Sequence, residues 1–431
     1  MLSKQIVANK FQIKTLSTHA WGEEIKHILA AAIRSVEPNS AVRKHLLVQN
    51  EVLTVMGKDY ALKDSVRVMV IGAGKAGFPM AKGVLDSLGT RVDGGLVIVK
   101  AGQRGKKTKL GPIKIAEGGH PIPDQRGVQA TQEMVKLLDT LTARDLVVCL
   151  ISGGGSALLT APIPGVSLGM LQNITQHLLM GGATIQEINL IRKALDIVKG
   201  GGLAKIAAPA PVISLILSDV VGDRLDMIAS GPTVENPDTD TEAMEIINKY
   251  QLGGMLPKEN LRDLSKNPAE HTKIMNAQNV LVGNNEIAAR AAMAAAEKYG
   301  IQSELITTGM QGEARQVGRE MADKLRCWVE EPSQKPRMWV AGGETTVTVK
   351  GSGLGGRNLE VALAAVETLA GLENVLLVTL ATDGEDGPTP AAGAVVTGET
   401  FKRGQALDLH PKDYLDNNDS FHIYNHSFRF A

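Results

Sequence analysis

Short apolar runs recur along this chain, separated by stretches with helical periodicity, and that alternation predicts an α/β protein. Residues 66–71 read as a strand running into Gly72, followed by a helix over 78–88 and a strand over 96–100. A third strand at 113–116 leads through Glu117–Asp124 into a helix over 129–141. Residues 146–151 are apolar throughout and predict a fully buried strand, with Cys149 read as one of its hydrophobes. Helices follow over 168–180 and 184–199, the second opened by a capping box of Thr184 and Glu187 and closed at Gly200–Gly202. Residues 212–217 form a fifth buried strand that ends in Ser218 and Asp219.

The stretch 223–241, with Pro232 and Pro237, reads as a connection between domains. A second alternation follows it. Strands are expected at 279–282, 303–307 and 375–380, helices at 286–299, 316–329 and 358–369, and a hairpin-like stretch at 338–350. The pattern predicts two α/β/α domains, residues 22–238 and 239–431, the first Rossmann-like with a parallel sheet.

Composition narrows the function. The 431 residues carry 46 Lys plus Arg and 46 Asp plus Glu, with only 3% aromatics. A nucleic-acid surface normally has a basic excess and stacking rings, so nucleic acid is not the expected partner. An anionic ligand must then be held by local groups. Two cysteines with no paired spacing argue against a disulfide framework or a zinc site. No apolar run is long enough to span a membrane, so a cytoplasmic protein, with homo-oligomerisation permitted, is expected. Residues 1–21 hold no acidic residue and carry Lys4, Lys10 and Lys14, as mitochondrial presequences do, but no Arg. They read as a targeting peptide or as a plain N-terminal extension.

In open α/β sheets, ligands lie beyond the carboxyl ends of the strands. The first strand delivers Gly72-Ala73-Gly74-Lys75-Ala76-Gly77, a GxGxxG match. The next strand ends in Lys100 where a dinucleotide fold would place a ribose-binding acid, and Lys75 is a point charge suited to phosphate. The fourth strand delivers Ser152-Gly153-Gly154-Gly155-Ser156, either an anion nest or a tight turn. The fifth delivers Asp219 and then Asp223, candidate Mg²⁺ ligands or a general base, with turn-capping as the alternative. Asp383 and Asp386 stand in a similar acidic turn, and Asp383 joins the candidate metal ligands. Arg192 falls at the edge of its helix's apolar face and needs a carboxylate or phosphate partner, from the protein or from a ligand. Gly355-Gly356-Arg357-Asn358 opens a helix after Gly342-Gly343-Glu344, and places Arg357 beside free N–H groups. Glu344, Gly356 and Asn358 are read as binding residues with it.

Together these segments resemble the class II glycerate kinases, whose C-terminal part is the MOFRL domain. The resemblance is carried by 72–77, by Glu117-Gly118-Gly119-His120-Pro121-Ile122-Pro123-Asp124, and by 152–158, 182–205, 218–233, 342–358 and 382–393. It implies phosphorylation of D-glycerate to 2-phosphoglycerate with ATP and Mg²⁺, in a cleft between two domains. The family's functional lysine matches Lys75, its arginine matches Arg357, and its strand-end aspartate matches Asp219. Phosphoryl transfer rests on positioning and charge stabilisation. On that reading Lys75 and Arg357 neutralise the transferring group, Asp219 orients the hydroxyl or holds Mg²⁺, and Gly74 with Ser152–Ser156 cradles an anion. Arg192 is the candidate for the glycerate carboxylate.

The MOFRL signature is expected over 337–425, cut short at its end. Family members continue past Asn418-Asp419-Ser420 into a Gly- and Thr-rich stretch, whereas this chain runs to Ala431 through Asn425-His426-Ser427-Phe428. Leu359 stands where glutamine is usual. Two rival expectations therefore stand beside the kinase: an NAD(P)-dependent hydroxypyruvate reductase, and a ligand-binding form impaired by its altered tail.

Overall fold

The computed structural model describes residues 11–427, apart from 12, 64–65, 239, 267–272 and 332. Most of the 1–21 leader and the final four residues therefore lie outside the described residues. Glu37–Asn284 form one compact unit, and the described residues before 37 and after 284 form the other.

The first unit opens with helix Pro38–His45 and then a small antiparallel sheet, β1 (Leu47–Gln49), β2 (Val52–Val55) and β3 (Lys58–Ala61). Its centre is a seven-stranded sheet. In chain order the strands are β4 (Val68–Ala73), β5 (Val92–Lys100), β6 (Lys109–Leu110), β7 (Ile113–Gly118), β8 (Leu146–Ile151), β9 (Val212–Leu217) and β10 (Ala277–Gly283). They lie side by side as β10-β9-β8-β4-β5-β7-β6, all parallel except β6. Alternate residues of β8 face opposite apolar clusters. Val148 and Leu150 join Met80 and Val84, while Val147, Cys149 and Ile151 join Met134 and Leu138. Each such fully buried side chain contributes about 1.5–3 kcal/mol. Cys149 behaves as the expected hydrophobe, with burial pushing its thiol up to about 12.

Several expected boundaries move, each for a visible reason. The sequence placed a domain break at 238/239, but helix Asp240–Lys249 packs its Ala243 and Ile247 against Ile188 and Ile191 of helix Ile185–Ala194. Strand β10 then pairs with β9, so it completes the first sheet and does not open a second. The stretch 223–241 is not a linker. Ile228, Ala229, Ser230 and Thr233 are buried, and Thr233 Oγ1 bonds Ser214 Oγ at 2.9 Å and Asn279 Oδ1 at 2.7 Å. The helix from Thr184 keeps its capping box but stops at Ala194. Beyond it the buried Asp196 carboxylate accepts the N–H groups of Ala161 and Val198, which draws the chain out of helical register.

In the second unit, helix Gly22–Ser35 packs on helix Asn285–Glu297 through a core holding Ile28, Ala292, Ala296 and Ile301. The expected hairpin over 338–350 is absent. β12 (Arg337–Gly343) instead runs parallel to β11 (Gln302–Met310), and Glu344 N–H closes on Met310 O at 2.8 Å. β13 (Leu376–Val378) pairs antiparallel with β14 (Val395–Thr397). Between these pairs in sequence runs helix Arg357–Leu369, buried along most of its length. Its N-terminus is capped from a distant loop. Asp386, only 1% exposed, accepts Asn358 N–H at 3.1 Å and Leu359 N–H at 2.8 Å.

Two stability predictions follow from these bonds. Asp386→Ala removes a cap that serves two backbone donors, and should cost about 1–2 kcal/mol, read as a fall in the thermal or denaturant midpoint. Asp386→Asn, which retains one acceptor, should cost less. In the first unit, Asp145 pairs with the Arg67 guanidinium at 2.8 and 2.7 Å and accepts Thr142 N–H at 2.7 Å. Arg67 holds the carboxyl well below its ordinary value of 3.8, with Thr142 helping. A folded-state pKa below the unfolded one gives stability that is present above the unfolded value and lost as pH falls beneath it. Asp145→Ala should therefore lower the melting temperature near neutral pH, and the gap from wild type should close progressively below about pH 3.8.

Candidate functional site

Strand β4 has β5 on one side and β8 on the other, so the chain's direction of travel across the sheet reverses there. That is the switch point at which parallel sheets open a crevice. The loops leaving β4 and β8 meet at this point. Lys75 N–H donates to Gly153 O at 2.8 Å, and Ala76 N–H donates to Ser152 Oγ at 3.1 Å.

Close packing against the two neighbouring strands and the β8 loop explains the GxGxxG glycines. A Cβ on Gly72 would lie 2.2 Å from Leu150 O, and one on Gly74 would lie 2.0 Å from Ser152 Oγ. One on Gly77 would lie 2.8 Å from Val97 Cγ1. The N–H groups of Gly74, Lys75, Ala76 and Gly77 are all spent on internal acceptors, and Pro79 has none. A dinucleotide pyrophosphate needs those donors. The loop therefore lacks what a nicotinamide enzyme uses there, and Gly74 acts as a spacer for Ser152 and not as an anion contact.

The β8 loop differs. Ser152 is buried to 1% and braces Ala76, so it too is structural. By contrast, the N–H groups of Gly153, Gly154 and Ser156 donate to no acceptor among the described residues. Gly154 is left-handed at φ 81°, the alternation that turns successive N–H groups toward one point. Gly155 lies against Ala229, where a Cβ would come within 2.6 Å.

Charged groups surround this loop. The Asp219 carboxylate presses on Gly153, so that a Cβ there would lie 1.8 Å from Oδ2. Lys75 is exposed, and its Cγ lies 3.5 Å from the Cβ position of Gly154. His120 is the residue the sequence reading passed over as a site group. Its imidazole Cδ2 lies 2.7 Å from that same position. Burial, then the Lys75 and Lys100 cations, lower its pKa and favour the neutral ring. Its only signal in the sequence was a place in the 117–124 segment.

Behind the loop, Lys199 donates to Ser156 O at 2.8 Å and Leu159 O at 2.6 Å, and lies 3.6 Å from Asp196. Burial lowers Lys199 and raises Asp196. Arg192 lies near enough to Lys199 to repel it, and burial lowers its own pKa. No hydrogen bond or ion pair holds the Arg192 guanidinium among the described residues. Asp223 does not share in the loop's bonding: it accepts the Asn284 amide at 2.5 Å.

The remaining candidates belong to the other unit. Arg357 pairs with Glu344 at 2.6 Å, and both are about half exposed. The N–H groups expected to be free beside Arg357 are occupied, because Asp386 takes those of Asn358 and Leu359. The Asn358 side chain bonds the same carboxylate at 3.1 Å, and Gly356 leaves room for it. Gly356 and Asn358 thus shape the cap. Asp383 is exposed and accepts the Glu385 N–H. Among the described residues no three His, Cys, Asp or Glu side chains are grouped to hold a metal, and no helix is long and apolar enough to cross a membrane.

Comparison with known proteins gives this geometry a family. Residues 24–265 match the model of a domain of unknown function, DUF4147, and residues 337–429 match the MOFRL family. A D-glycerate 2-kinase of Thermotoga maritima is 38% identical over 394 residues, covering 89% of this chain and 93% of the relative. A glycerate 2-kinase of Pyrococcus horikoshii is 37% identical, covering 91% and 90%, and the glycerate kinase of Homo sapiens 35%, covering 94% and 88%. The crystal structure of the Thermotoga maritima glycerate kinase superposes with a TM-score of 0.82, at 38% identity and 94% coverage of both chains. A Pyrococcus horikoshii structure gives 0.80 at 35% identity. With family models matched along most of its length and relatives of this kind at 35–38% identity, this chain belongs to the glycerate kinase family, as a kinase carrying the MOFRL region.

Proposed function

We propose that this protein transfers the γ-phosphoryl group of ATP, bound as its magnesium complex, to the 2-hydroxyl of D-glycerate, giving 2-phosphoglycerate. The observation that carries this reading is the β8 loop. Its unpaired Gly153, Gly154 and Ser156 N–H groups stand beside Lys75 and Asp219 in a chain that belongs to a kinase family. Donors aimed at developing charge supply most of the catalysis in such transfers.

Lys75 neutralises charge on the transferring phosphoryl. Arg357, which matches the family's functional arginine, is paired with Glu344, and an anion arriving there would have to displace that carboxylate. Asp219 orients the attacking hydroxyl or meets the magnesium that travels with the nucleotide. A nucleotide-borne Mg²⁺ needs only one or two protein carboxylates, which suits the single aspartate at this loop. Asp223 and Asp383 are the weaker candidates, since one is bonded to Asn284 and the other is exposed in its own turn. Arg192, partly buried and without a partner among the described residues, is assigned to the substrate carboxylate. His120, kept neutral, offers a hydrogen bond without adding a third positive charge beside Lys75 and Lys100.

The test is an assay of purified protein with ATP, Mg²⁺ and D-glycerate in which the two phosphoglycerate isomers are distinguished by NMR. 2-Phosphoglycerate is the expected product. Lys75→Ala and Arg357→Ala should each lower kcat by about a hundredfold or more. Arg192→Ala should act mainly by raising the KM for D-glycerate, by about tenfold. Near-normal turnover in both lysine and arginine variants would sink the assignment. So would NAD(P)H oxidation with hydroxypyruvate in the absence of ATP consumption with D-glycerate.

A further inference from the structure

The Ser156 hydroxyl stands in the loop assigned to an anion, and one buried group decides where its proton points. Ser230 Oγ lies 3.0 Å from Ser156 Oγ. Ser230 is fully buried, and its hydroxyl has no other partner among the described residues. Only one proton can lie between two hydroxyl oxygens. If Ser156 supplied it, the Ser230 proton would be left buried without an acceptor, the costlier of the two arrangements. Ser230 therefore donates and Ser156 accepts. The proton of the half-buried Ser156 is left to point elsewhere, toward the open side of the loop.

The backbone that delivers Ser230 is strained. Ala229, Ser230 and Gly231 are consecutive left-handed residues at φ 51°, 61° and 59°, and two of the three carry a Cβ. Such conformations persist only where the surroundings impose them, and they concentrate at functional sites. The restraints here are Gly200 N–H on Ser230 O at 2.9 Å, Gly201 N–H on Gly231 O at 2.7 Å, and the packing of Ala229 against Gly155. Ser156 is fixed from the other side as well, because its carbonyl accepts Lys199 Nζ and Thr160 Oγ1. A glycine would relax the turn at residue 230, so the serine stands there at a conformational cost.

We propose that Ser230 is a positioning residue whose buried hydroxyl holds Ser156 as a donor aimed at an anionic oxygen of the substrates, carboxylate or phosphate. This rests on the reading of the β8 loop as a substrate anion site. Ser230 does not touch the ligand; it acts through Ser156.

The experiment uses the full chain and isothermal titration with three separate probes: D-glycerate, ATP with Mg²⁺, and inorganic phosphate. Ser230→Ala removes the hydroxyl and keeps the strain, while Ser230→Gly removes both. Each should weaken at least one probe by about tenfold, while Ser230→Gly melts no lower than Ser230→Ala. A purely structural serine would instead move affinity and melting temperature together. The probe affected identifies the oxygen as carboxylate or phosphate. Ser156→Ala should weaken the same probe, and Ser156→Ala combined with Ser230→Gly should be no weaker than Ser156→Ala alone. Unchanged affinity for all three probes in Ser230→Gly overturns the assignment, as does an additive double variant. Wild type that binds the probes without phosphorylating D-glycerate removes the proposed activity alone, since affinity still judges Ser230. Wild type that binds none of them overturns both.

Discussion

The hydrogen bond from Ala76 N–H to Ser152 Oγ joins the two loops at the centre of the first sheet, and much of the site depends on it. It forms only because residue 74 has no Cβ to fill the space of the serine oxygen. The backbone N–H groups of Gly74–Gly77 are all taken up, whereas those of Gly153, Gly154 and Ser156 in the β8 loop have no acceptor among the described residues. The β4 loop keeps only the Lys75 ammonium as an outward donor. The same contact sets Lys75 beside Gly154 and His120, so the placement of positive charge and of hydrogen-bond donors has one origin.

Several of the chain's cations are committed to partners within the protein. Lys193 bonds Asp238 at 2.8 Å, Arg315 bonds Glu360 at 2.9 Å, and Lys199 is satisfied by two carbonyls and Asp196. These groups hold their surroundings together. Arg192 is only partly buried, yet among the described residues it has no such partner, and partial desolvation lowers its pKa. An unpaired cation of that kind is the group a ligand carboxylate could compensate.

Most of the strands and helices could be read from the sequence, because unbroken apolar runs such as 146–151 and 212–217 leave little choice for a buried parallel strand. The family could be read from its spaced motifs. The domain break could not, because Pro232 and Pro237 look like a linker until the bonds from Thr233 to Ser214 and Asn279 are seen. The roles of Gly74, Ser152, Gly356 and Asn358 were likewise hidden. A small residue needed for close packing and one needed for ligand approach give the same letter. Asp386 looked like part of an acidic turn, and only the fold brings it to a helix start 28 residues earlier. Ser230 gave no local signal, since its importance lies in a left-handed φ and a partner 74 residues away.

The division of the chain has a consequence for how the molecule is made. The first unit is contiguous in sequence, so all its strands are available once residue 284 has been synthesised. Helix Gly22–Ser35 is synthesised before any of that unit, but its apolar face belongs against helix Asn285–Glu297. Until that partner emerges from the ribosome, Ile28 and its neighbours have nothing native to cover them, while some 250 intervening residues are translated and fold. A helix made before the first unit is thus among the last to find its place. Its exposed face during that interval is where a holdase or a misfolding contact would act.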